Sequence, residues 1–150
     1  MCKGTDNELT AKDSIKNSDS IVLLVQNEIG YKNLLKLNSR AYFESEGQAQ
    51  IKVEDLRLYS EGLVCLTGGA EGPVGRLLNS DKISDAKIII RLLDIFQSNL
   101  YIEIQRHPGE NGLPNIEAKT ESLFIDLAYE LKIPLVATND VHFPDTEMFE

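Results

Sequence analysis

Leu100-Tyr101-Ile102-Glu103-Ile104-Gln105-Arg106-His107 is an extended stretch whose two faces carry different chemistry. Side chains alternate along a strand, so Tyr101, Glu103, Gln105 and His107 share one side, and Ile102 and Ile104 share the other. A helical pattern over 115–132 follows, with Leu123, Leu127 and Leu131 at four-residue steps, and then a second apolar strand over 134–138. A strand, a helix and a strand at this spacing form a crossover between parallel strands. The second strand runs into Asn139-Asp140-Val141-His142. In extended backbone Asp140 and His142 point the same way; the same residues also suit a simple turn with His142 exposed.

The alternation continues towards the start of the chain. A β-branched run over 21–25 reads as a strand covered on both faces. A helix over 28–43 follows, with Tyr31, Leu34, Leu35, Ala41 and Tyr42 as its expected buried stripe. A short helix over 53–59 and a second buried strand over 62–67 come next. Gly68-Gly69-Ala70-Glu71-Gly72-Pro73 ends that strand, and Pro73 suits the first turn of a short helix through residue 78. A phosphate-binding loop does not fit here. Ala70 stands where Gly-x-Gly-x-x-Gly needs its second glycine, and no Gly-Lys-Ser/Thr follows. A longer helix is expected over 80–97, with Ser80 or Asp81 as N-cap and Ile83, Ile90, Leu93 and Phe96 buried. Residues 1–19 are polar without periodicity and read as a disordered or variable lead, leaving 20–150 as the folded unit.

At 150 residues the chain has room for one core of ordinary size. Its 42% hydrophobic and 26% charged content is that of a soluble globular domain. Two cysteines, Cys2 and Cys65, make no disulfide framework, which fits a reducing cytoplasm. No apolar run reaches the ~20 residues of a membrane span, so no membrane partner is expected. A formal charge of −9 opposes phosphodiester backbones, so any DNA handled by a parent protein is gripped elsewhere. Lys32, Lys36 and Arg40 line one helix face, which reads as a solvated face.

Strands alternating with helices predict an α/β architecture with parallel strands and flanking helices, either doubly wound or part of a barrel. Both place their chemistry beyond the carboxyl ends of the strands. Both histidines of the chain fall there, and adjacent parallel strands lie about 4.8 Å apart. His107, Asp140 and His142 are therefore the candidate metal ligands, a nitrogen and oxygen set suited to zinc, manganese or iron. Such an ion could activate water against a phosphate ester. Glu103, Gln105, Arg106 and Asn139 are the candidate supporting or substrate-facing residues. A structural pairing of Glu103 with Arg106 or with a neighbouring helix is the competing reading.

Four motifs, taken together and in order, resemble one family. They are Asn27-Glu28-Ile29-Gly30-Tyr31-Lys32-Asn33-Leu34, Thr67-Gly68-Gly69-Ala70-Glu71-Gly72-Pro73-Val74-Gly75-Arg76, Tyr101 to His107, and Val136-Ala137-Thr138-Asn139-Asp140-Val141-His142. The chain from about Ser20 onward is similar to the PHP (polymerase and histidinol phosphatase) domain of the bacterial DNA polymerase III alpha subunit. The resemblance implies a distorted β/α barrel with a metal cluster at its carboxyl face, here partial and truncated at both ends. His107 matches the family's late histidine ligand, and Asp140 and His142 match its terminal Asp-x-His pair. The family's opening His-x-His element has no counterpart, and glycine stands near Gly68-Gly69 where many relatives carry a cysteine or histidine ligand. The implied parent is a DNA-directed DNA polymerase using magnesium, with the rest of its chain and replisome subunits, a proofreading subunit included, as partners. This segment would serve as scaffold or partial metal site. A free-standing metal-dependent phosphoesterase of the PHP type is the alternative, and an acidic interaction module is a third reading.

Overall fold

Residues 20–43, 49–107 and 116–139 are described by the computed structural model of the chain. Four strands form one sheet in the order in which they occur: β1 (Val22–Val25), β2 (Leu63–Leu66), β3 (Leu100–Ile104) and β4 (Leu135–Ala137). Between them lie α1 (Glu28–Phe43), α2 (Val53–Tyr59), α3 (Pro73–Asn79), α4 (Ile83–Leu93) and α5 (Ile116–Leu131). A strand order without reversal has no topological switch point, so this is the arrangement of a barrel segment rather than of a doubly wound sheet.

β2, β3 and β4 run parallel, as the crossover pattern predicts, with Cys65 opposite Leu100 and Ile104 opposite Ala137. β1 does not. It pairs antiparallel with β2, Val22 opposite Leu66 and Val25 opposite Leu63. The cause is a close approach of two glycines. A Cβ on Gly30 would stand 1.8 Å from the Gly62 carbonyl oxygen, so the first turn of α1 can lie directly on the chain entering β2. Gln26 N–H donates to that same carbonyl at 2.9 Å, and the Asn33 amide donates to Glu61 O at 3.0 Å. The end of β1 is thereby held at the beginning of β2, which sets the two strands head to tail. Hydrophobic periodicity carries no information about strand direction.

The core gathers Leu37, Leu63, Val74, Leu78, Ile90, Leu100, Ile102 and Phe124, supplied by β2, β3 and four helices. Two expectations about its margins are corrected. β1 is an edge strand with Val22, Leu24 and Val25 exposed, not one covered on both faces. The buried face of α1 is Gly30, Asn33, Leu37 and Ala41, whereas Tyr31, Leu35 and Tyr42 of the expected stripe lie at the surface. The clasp of Gly30 and Asn33 on the Gly62 turn sets the rotation of this helix, and bulky apolar residues cannot enter that contact.

The helix expected over 80–97 is divided. Ser80 closes α3, donating both its N–H and its hydroxyl to the Arg76 carbonyl, so it is a C-terminal cap and not an N-cap. Asp81 then takes a left-handed conformation (φ +58°), and α4 starts at Ile83, which is exposed. Beyond Leu93 the chain tightens into a 3-10 segment, Asp94–Asn99, interrupted at Gln97 (φ +50°). No helix among the described residues is long and apolar enough to cross a membrane.

Candidate functional site

Glu103 holds the carboxyl-terminal rim of the parallel strands together. It lies mid-strand on the polar side of β3 and is 3% exposed, so the polar face read in the sequence is an interior one. Its carboxylate accepts from Gly68 N–H at 3.1 Å and from the Thr138 hydroxyl at 2.5 Å, joining the ends of β2 and β4. Its own N–H donates to Thr67 Oγ1 at 3.0 Å, extending the contact of β2 with β3 beyond the last ladder pair. The Gln105 amide donates to Thr138 Oγ1 at 3.1 Å, so the direction of the network is fixed: amide to hydroxyl to carboxylate. A buried carboxylate is costly unless it is hydrogen-bonded, and here each of its two oxygens meets a donor. Nowhere among the described residues does a buried side-chain polar atom lack a partner.

The glycine turn after β2 completes this edge of the rim. Gly68 (φ +83°) and Gly69 (φ +60°) take left-handed conformations that disfavour side chains, and Gly72 N–H donates back to Gly68 O at 2.9 Å. The segment is a tight turn, as its spacing suggests. A Cβ at position 69 would face the Gln105 amide at 3.3 Å, whereas one at position 68 would strike the Ser20 carbonyl. Of the two glycines, Gly69 is the one whose missing side chain would enter the rim.

His107 lies three residues past the end of β3 and is held by Glu117, in the first turn of α5. Glu117 Oε2 accepts the His107 backbone N–H at 2.7 Å, and Oε1 meets Nδ1 at 2.6 Å. Arg106 pairs with the same helix, one turn further on. Its guanidinium forks onto Glu121 of α5 at 2.8 and 2.5 Å, leaving it paired with that helix and not with Glu103. The hydrogen bond from Arg106 lowers the Glu121 carboxyl pKa, and the reciprocal bond raises that of Arg106. Asn139 is exposed just past β4. Asp140 and His142 lie outside the described residues, and among the described ones no three His, Cys, Asp or Glu side chains converge as a metal site.

Thr67, Thr138 and Glu117 were not singled out from the sequence. Thr138 stands inside the last of the four motifs, but a threonine beside a strand has many uses until its hydroxyl is seen to meet a carboxylate. Glu117 is ten residues from His107, a spacing that corresponds to no periodicity.

Cys65 is a buried thiol pushed up to about 12, first by desolvation and then by the nearby Glu103 charge, which makes it unreactive. The basic face of α1 is used within the fold. Lys36 and Arg40 stand over the Tyr59 ring at 5.2 and 5.5 Å, Arg40 also binds Asp55 at 2.7 Å, and Lys32 pairs with Glu28. A groove of about 570 Å³ opens on the β1 side, lined by Ile21, Leu23, Tyr42, Ile51 and Leu56 among others, and none of the rim residues reaches it.

The strand order, the glycine turn and the paired ends of β3 and β4 agree with the resemblance of the four motifs, and the profile described as PHP domain matches residues 3–107. The chain belongs to the PHP domain family. Relatives named DNA polymerase III subunit alpha match most of it: that of Borreliella burgdorferi is 38% identical over 134 residues, covering 88% of this chain and 11% of the relative. The Caulobacter vibrioides subunit is 39% identical over 127 residues (83% and 11%), and that of Pseudomonas aeruginosa 31% over 150 residues (98% and 12%). The PHP chain described here thus spans about 11% of the length of the first two.

Proposed function

We propose that this chain is the PHP segment of a DNA polymerase III alpha subunit, a scaffold that keeps part of a metal site at its carboxyl-terminal rim. The parent would be a cytoplasmic DNA-directed DNA polymerase, extending DNA by nucleotidyl transfer with magnesium at a centre outside this segment. Its partners would be the rest of the alpha chain and other replisome subunits, with DNA bound by other domains. Residues 1–19 would be a variable lead to the folded unit.

The observation that carries the metal reading is the register of β3 and β4. Ile104 stands opposite Ala137 in a parallel pair. His107 follows the first by three positions (107 − 104) and Asp140 follows the second by three (140 − 137), so the two residues are equally spaced in sequence from one paired rung. The donor chemistry also fits a cation. His107 has a carboxylate behind its Nδ1, the arrangement that orients histidine ligands in metal sites. His107, Asp140 and His142 would hold zinc, manganese or iron, and the ion would supply Lewis acidity. Within the chain, Glu103 ties the three strand ends in place, Gln105 orients the Thr138 hydroxyl, and Glu117 orients the imidazole of His107.

The test is metal content. The chain purified without chelator is expected to retain zinc, manganese or iron, with loss on His142→Ala. Absence of metal from the wild-type chain would leave the scaffold role alone. Primer extension by the complete gene product tests the polymerase assignment.

A further inference from the structure

Glu117 belongs to none of the four motifs, yet it makes two contacts to one residue. Its carboxylate takes the backbone N–H of His107 through one oxygen and the ring Nδ1 through the other. A carboxylate only accepts hydrogen bonds, so the atom it meets at 2.6 Å has to carry a proton. In the neutral imidazole a proton on Nδ1 leaves the lone pair on Nε2. The backbone contact makes the arrangement rigid: the carboxylate cannot follow a rotating ring without giving up the main-chain N–H. Half-buried and in the first turn of α5, Glu117 is itself held by a sixteen-residue helix packed on β3.

We infer that Glu117 is the positioning residue of this rim. It fixes His107 as the Nδ1–H tautomer and turns Nε2 into the nitrogen offered to a bound cation. The proton on Nδ1 follows from its contact with the Glu117 carboxylate in the neutral ring, and the use of Nε2 towards a metal rests on the reading above.

The experiment is long-range 1H–15N correlation of the imidazole rings in the 15N-labelled 150-residue chain, at a pH where imidazole is neutral. The chain has two histidines, and a His142→Asn background leaves the His107 signals by themselves. His107 is expected as the Nδ1–H form, and Glu117→Gln is expected to shift it to the Nε2–H form or to a mixture. Glu117→Asp, which retains the charge on a shorter arm, gives a second reading should the glutamine variant fail to fold. An Nε2–H tautomer in the Glu117-containing chain overturns the inference without any variant, and so does a tautomer indifferent to both substitutions. Zinc affinity by equilibrium dialysis of the chain with His142 intact separates the two claims. A 10- to 100-fold loss in Glu117→Gln is expected, the effect of removing a carboxylate behind a histidine ligand. If the wild type shows the Nδ1–H tautomer but binds no zinc, the positioning stands and the metal reading falls.

Discussion

The sheet has two seams, and they are closed by opposite means. Between β1 and β2 the chain is held by the absence of side chains: Gly30 lies on Gly62, and no Cβ fits between them. Between β2, β3 and β4 it is held by hydrogen bonds: the Gly68 N–H and the Thr138 hydroxyl donate to Glu103, and the Gln105 amide donates to Thr138. The first seam is steric and inexpensive, and leaves an exposed apolar border in which Phe43 is 89% and Tyr31 55% accessible. The second buries a carboxylate, whose desolvation is offset only while the donors around it stay in place. A fold that keeps the costlier seam at its carboxyl-terminal rim is preserving a geometry there. The difference teaches where to look for function.

Substitutions at three positions test this contrast. The largest effect is expected for Gly30→Ala. One methyl group would overlap the Gly62 backbone, and neither backbone can move without opening the β1–β2 pairing. A loss of about 3 kcal/mol or more is expected in urea unfolding, at the upper end for overpacking. A change under about 1 kcal/mol would show that this seam is loose.

Glu103→Ala is expected to cost about 3 kcal/mol, because the Gly68 amide and the Thr138 hydroxyl would both lose their acceptor inside the protein. Glu103→Gln retains one acceptor oxygen and should cost about 1 kcal/mol. Equal losses for the two variants would mean that the seam depends on volume and not on hydrogen-bond direction.

The smallest effect is at Cys65, on β2 between the two seams. Its folded pKa of about 12 lies above the ordinary 9.0, so the native state holds the proton more tightly than the unfolded chain. Its contribution is complete below pH 9 and declines as pH rises towards 12. The stability difference between wild type and Cys65→Ala should therefore narrow by on the order of 1 kcal/mol at pH 10. Desolvation is the larger cause, so Glu103→Gln should make this decline only slightly shallower. A constant difference from pH 8 to 10 would contradict the burial of this thiol.

Much of this protein is determined by local sequence. The helices Glu28–Phe43 and Val53–Tyr59, the alternation along Leu100–Ile104 and the turn at Gly68–Gly69 follow from periodicity, capping and backbone preference, which act within a few residues. The two unlike faces of β3 are likewise written there, since Glu103 alternates with Ile102 and Ile104 along the strand. Only the tertiary structure decided the direction of β1, the rotation of α1, and the partners of the rim. Each depends on groups that belong to different parts of the fold: Gly30 with Gly62, Thr138 with Glu103, and His107 with Glu117. Periodicity records which side of an element is buried. What it is buried against is settled by steric fit and by the need of every interior donor for an acceptor, and those requirements exist only once the chain has closed on itself.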